Sequence, residues 1–183
     1  DVNAELTRTS TREDSLLADK ISRLHIYFSL LRRGLTEDEK SRLDVELMRL
    51  YERFGITRDN DSLYDEYGNL KPQPTPADFY ELLNEREETK SLAGILSRFV
   101  NGSAANLGGE TNIDMNNKYI VLDISEIGKE LLPFGTLLAA DICLDYCRMS
   151  RAENKVVILD EVWSLIGAGS NAQAAEFVLE LFK

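Results

Sequence analysis

The residues best suited to chemistry stand together late in the chain, in Lys155-Val-Val-Ile-Leu-Asp160-Glu161-Val-Trp163. Four consecutive apolar residues followed by two carboxylates make the Walker B pattern. The apolar run has a geometric purpose: a strand buried on both faces holds its last residues rigidly at the carboxyl edge of a sheet, where ligands bind in open α/β folds. There the first carboxylate can hold magnesium, a hard cation that keeps several of its waters. The second can orient and deprotonate a water attacking a phosphate. Asp160 is thus the candidate metal ligand and Glu161 the candidate catalytic base. A buried strand whose Asp-Glu merely caps the next turn is the plainer reading. The strand-helix-strand pattern before it and the Val162-Trp163 continuation favour the chemical one.

The complementary half of such a site is missing from the sequence. A phosphate loop reads GxxxxGK[ST], its amides wrapping the phosphates and its lysine reaching the terminal ones. The only Gly-Lys pair is Gly128-Lys129, followed by Glu130 and without a glycine five positions earlier. Gly167-Ala-Gly169 has no lysine after it and reads as a flexible turn. Both halves must share one sheet, so the phosphate loop is expected upstream of Asp1. This chain by itself is expected neither to hydrolyse ATP nor to bind it tightly.

Lys118-Tyr-Ile-Val-Leu-Asp123 repeats the Walker B run: a lysine, four apolar residues and an aspartate. Between the two runs, Pro133 starts a helix reaching Met149, which completes a βαβ unit. A short strand is expected at 111–115 and an amphipathic helix at 171–183. Asp123, at the end of its run, either lines a nucleotide edge or caps the next helix. Trp163 is expected to pack beneath the Walker B turn.

Upstream, the chain reads as helices. Leu17, Ile21, Leu24, Phe28 and Leu31 form one stripe, and Gly34 ends that helix. Thr36 and Glu39 make a capping box for a second helix carrying Leu43, Leu47, Leu50 and Phe54 and stopping at Gly55. The short connection predicts an antiparallel hairpin. Residues 56–75 form a loop whose Asp59, Asp61 and Asp65 lack the EF-hand pattern, because Leu63 occupies a ligand position. Thr75 and Pro76 start a helix through Phe79, Leu82 and Leu83; another runs through Leu92, Ile95, Leu96, Phe99 and Val100 to Gly102.

Composition narrows the function classes. With 21 Lys+Arg against 32 Asp+Glu the net charge is −11, and the basic clusters are small, so nothing signals nucleic acid or an anionic membrane. No apolar run is long enough to span a bilayer, and the start lacks a secretory pattern, which predicts a cytoplasmic setting. Cys143 and Cys147 share a helical face without further ligands and read as buried thiols. His25 reads as an ordinary packed or surface histidine, and Asp141 with Asp145 as a solvated edge near Arg148.

The segments PTPADFYELLNEREETKSLAGILSRFVNGSAANL, NKYIVLDISEI and NKVVILDEVWSLIG, across about residues 72–166, resemble the cytoplasmic ATPases of conjugative type IV secretion systems. That family sets a helical insertion between its phosphate loop and a Walker B strand ending D-E-small-W. The matching positions are Pro74 to Leu83, Tyr119 to Asp123 and Asp160 to Trp163, with Val162 where the family usually has alanine. The resemblance implies a RecA-like ATPase domain using ATP and magnesium to power conjugative transfer. It implies homo-oligomers with catalytic groups shared across interfaces, and partners among the subunits of the secretion machine. The family's phosphate loop and its downstream arginine and glutamine motifs have no counterpart in this sequence.

The expected fold is therefore α/β but mostly helical: a helical subdomain inserted in the ATPase domain at 1–108, then a partial RecA-like P-loop NTPase sheet at 109–183. Two other functions fit parts of the sequence. One is a DNA-translocating ring ATPase; the other is a non-catalytic helical module docking a partner of the secretion machine, which predicts an uncovered apolar patch on residues 14–54.

Overall fold

The computed structural model describes residues 15–109, 117–128, 130–149, 154–158 and 160. Among the described residues five α-helices dominate: α1 (Leu16–Leu31), α2 (Glu37–Arg53), α3 (Pro76–Asn84), α4 (Lys90–Val100) and α5 (Leu132–Met149). The chain divides into two compact units. The first takes the described residues up to His25 and from Gly34 to 109; the second takes Ile26–Arg33 and the described residues from 117 onward.

Local chemistry explains the helix ends. The Thr36 hydroxyl accepts from the Glu39 amide while the Glu39 carboxylate accepts from the Thr36 amide, and Thr75 and Asp78 repeat the arrangement, with Pro76 in the first turn. Gly34 and Gly55 carry the chain out of α1 and α2 at positive φ (77° and 68°), where an L side chain would be strained.

The partial RecA-like sheet expected at 109–183 is not found among the described residues. Among the described residues there is no strand, and the one β feature is an isolated antiparallel bridge, Tyr64 with Leu70. Residues 117–124 and 154–158 are irregular, and side chains expected inside a sheet are open, with Tyr119 85%, Val156 85% and Ile158 88% exposed. The physical reason is that an apolar run is only a candidate strand; hydrogen-bonded neighbours make it one, and no described segment supplies them. The expected strand at 111–115 and helix at 171–183 lie outside the described residues.

In the first unit α3 packs closely on α4, and α2 on α3. The α1–α2 hairpin expected from the stripes is thus not the leading pairing around α2: its partner is the helix beyond the loop. The helices bury Leu43, Leu47, Leu50, Tyr51, Phe79, Leu82, Leu83, Leu92, Leu96 and Phe99. Leu17, Ile21 and Phe28 of α1 are buried as well, so most of the 14–54 stripe is not an open patch.

A polar group is buried with that core. Glu46 on α2 is 3% exposed, and its carboxylate accepts from Arg49 Nη1 at 3.1 Å and from Arg86 Nη1, beyond α3, at 3.0 Å. Arg49 Nη2 reaches on to Glu85 at 2.8 Å, and Arg53 grips Glu85 with both terminal nitrogens at 2.7 Å. Thr89, also buried, donates its hydroxyl to the carbonyls of Leu83 (2.5 Å) and Arg86 (3.0 Å), tying the turn between α3 and α4. After α4 the chain folds back so closely that a Cβ on Gly108 would collide with the backbone oxygen of Phe99.

Four outcomes follow. Glu46→Ala should cost about 2–3 kcal/mol in urea unfolding, because it strips two charge-assisted hydrogen bonds from a buried site. Glu37→Ala, which removes the exposed partner of Lys40, should stay within about 0.5 kcal/mol. Gly108→Ala should cost about 1–3 kcal/mol, since backbone rather than a flexible side chain stands in the way. The hydrogen bond from Arg53 holds the Glu85 carboxyl below its ordinary range. The folded chain therefore takes up that proton less readily than the unfolded one, so the pair stabilises above the unfolded carboxylate range and the contribution fades as pH falls through the folded value. Between about pH 6 and pH 3 the urea midpoint should fall, and fall less steeply in Glu85→Gln.

Candidate functional site

The second unit carries the one described residue of the candidate acid pair, and α5 is its frame. The chain leaves a 3-10 turn (Ser125–Ile127) through Gly128 at φ 76°, and Leu131 begins the buried face that continues through Leu137 and Ala140. Gly135 lies against Ile127, whose Cδ1 would stand 2.6 Å from a Cβ there. The Thr136 hydroxyl donates back to Leu132 O at 2.8 Å. Tyr27 closes this face: its ring meets Phe134 edge-on, centroids 5.4 Å apart, and its hydroxyl donates to Asp141 Oδ2 at 3.1 Å.

At the other end of α5, Lys155 Nζ donates to the carbonyl oxygen of Tyr146 at 2.8 Å and stands 4.8 Å from the centre of the Tyr146 ring. Cys147 O is 3.5 Å from the same nitrogen. A cation beside the last carbonyls of a helix satisfies acceptors that have no intrahelical donor and meets the negative end of the dipole. The lysine opening the second apolar run is thus moored to the end of α5. Val156, Val157 and Ile158 follow, all exposed, and Asp160 is an exposed residue at a bend.

Glu161, Val162, Trp163 and the Gly167–Gly169 turn lie outside the described residues. Among those described, no three His, Cys, Asp or Glu side chains are grouped to hold a metal ion. An exposed aspartate offering hard oxygens still suits magnesium, which asks for only one or two carboxylates and keeps its waters.

Other singled-out residues find plain roles. The Asp123 carboxylate accepts from the Ser125 amide at 2.9 Å, a turn-capping contact that also holds its carboxyl below the ordinary range. Asp59 accepts from the Asp61 amide at 3.1 Å, and Asp65 from the amides of Tyr67 (2.9 Å) and Asn69 (2.8 Å), so both build the loop. His25 Nε2 is 3.4 Å from Asp44. Cys143 and Cys147 are free and half-buried rather than buried, and burial first, then its neighbour Cys147, pushes the Cys143 thiol up. Asp141 is corrected more sharply: read as a solvated edge, it is 4% exposed and bound by Tyr27. Nothing in the periodicity of α1 marks Tyr27 for that contact.

No protein-family model and no curated protein matches the chain. A solved structure does: that of VirB4 of Thermoanaerobacter pseudethanolicus, 28% identical, with a TM-score of 0.77 over 91% of this chain. The match takes in 46% of that protein, so the chain spans about half the length of the solved relative. Likeness in both sequence and fold across nearly the whole chain supports the resemblance its motifs carry to the ATPases of type IV secretion.

Proposed function

We propose that this chain is the Walker B-bearing part of an ATPase that powers conjugative type IV secretion, and that Asp160 and Glu161 are its metal ligand and catalytic base. The likeness to VirB4 over 91% of the chain carries the reading, together with the Asp-Glu-Val-Trp sequence that ends the second apolar run. Bound ATP and magnesium would supply the phosphoanhydride to be cleaved and the charge that neutralises it. Asp160 contributes hard oxygens to the ion. Glu161 accepts the proton of the attacking water. The phosphate loop, which this sequence does not contain, comes from elsewhere in the assembled ATPase. Other copies of the ATPase and subunits of the secretion machine, at the cytoplasmic face, are its proposed partners. Burial of Leu43, Leu47, Leu50, Leu17, Ile21 and Phe28, with Leu24, Leu31 and Phe54 half-buried, leaves little open apolar surface to support a docking module on the 14–54 stripes. The charge of −11 gives a DNA-translocating motor no support.

The test is magnesium-dependent ATP hydrolysis by the full-length ATPase that carries this sequence. Glu161→Gln should lower kcat about 100-fold or more while nucleotide still binds. Asp160→Asn should raise the magnesium concentration needed for half-maximal rate. Hydrolysis unchanged by Glu161→Gln overturns the assignment.

A further inference from the structure

Within the loop at 56–75, residues 63–71 form a small hydrogen-bonded hairpin. Lys71 N donates to Leu63 O at 2.9 Å and Asp65 N to Asn69 O at 2.9 Å, framing the bridged pair Tyr64 and Leu70. Two partners flanked in this way form a non-hydrogen-bonded antiparallel pair, whose side chains lie on the same face of the ribbon and closest together. The Asp65 carboxylate braces the turn, and Lys71 Nζ pins the returning arm to Gly55 O at 2.8 Å. Yet Tyr64, Tyr67 and Leu70 are all exposed, Tyr67 by 80%. Among the described residues of the first unit the other large apolar side chains left in the open are Leu16 and Val45, so three of five gather on one hairpin. They add little to its own stability, which rests on backbone and Asp65 hydrogen bonds. Rigid aromatic side chains held without mobile backbone lose little entropy when another surface covers them, which is how interface anchors work.

Charge selects the occupant. Asp59, Asp61, Asp65 and Glu66 stand against Arg58 and Lys71 on this segment, and the Lys71 ammonium is already engaged at Gly55. We propose that the 63–71 hairpin is a docking tip for a different protein, one offering an apolar pocket rimmed by lysine or arginine, with Tyr67 as the central anchor and Tyr64 and Leu70 beside it. The acidic flank disfavours another copy of this chain, itself strongly acidic, and an anionic lipid surface.

A photo-crosslinking residue, p-benzoylphenylalanine, placed at position 67 of the full-length protein in its native cells tests this, with position 45, exposed in the same unit, as control. The expected result is an adduct from position 67 and not 45, mapped by mass spectrometry to an apolar segment flanked by Lys or Arg on another protein. Yield should fall about tenfold with the double substitution Asp61→Lys, Glu66→Lys, at unchanged melting temperature. An adduct yield no greater than the control, adducts on lipid or on a second copy of the chain, or adducts on a surface without basic residues would each overturn the proposal. So would a yield insensitive to the charge reversal. Because the readout is contact and not turnover, its failure leaves the assignment of Asp160 and Glu161 untouched.

Discussion

The first unit is organised around a carboxylate that has little water to fall back on. A charge buried in a helical core is expensive unless its partners are close and well aligned, and losing one of them costs more than the pair contributes. Glu46 meets this condition only when Arg49, one turn along α2, and Arg86, beyond the end of α3, both reach it. That requirement fixes which stretch of α2 can lie against the end of α3. The more exposed Glu85 continues the same network with Arg49 and Arg53, so the contact extends along two turns of α2. Apolar packing of Leu43, Leu47 and Leu50 could tolerate a sliding helix; a bidentate ion pair cannot. The tight turn into α4, secured by the buried Thr89 hydroxyl, then follows from where Arg86 has been placed.

What the sequence made legible was whatever is decided within a few residues. Thr36 with Glu39 and Thr75 with Asp78 satisfy amides three positions away, and Gly34 and Gly55 relieve strain at one residue. Each of those rules is complete in local chemistry. The Glu46 network spans about forty positions, and glutamate on an amphipathic helix is ordinarily read as solvated. Asp141 went the same way: its partner, Tyr27, is 114 residues distant. The apolar runs failed for a related reason. Val156 to Ile158 have the composition of a buried strand, but burial and ladder hydrogen bonds come from neighbours, and composition alone cannot say where those are. The candidate site was legible as residue types, Asp160 and Glu161, and not as geometry.

The second unit shows what the proposed acid pair requires beyond its carboxylates. An acid and a base act together only when held within fractions of an ångström of the productive arrangement. Lys155, moored on the carbonyl of Tyr146 and over its ring, fixes the start of the run to the end of α5. One mooring is not enough, because five extended residues at about 3.3 Å each let Asp160 sweep to roughly 16 Å from that anchor. Positioning must therefore also act on Val156, Val157 and Ile158, whose side chains the lysine leaves in the open. The chemistry proposed for Asp160 therefore rests on contacts along Val156 to Ile158 and not on the Lys155 anchor alone.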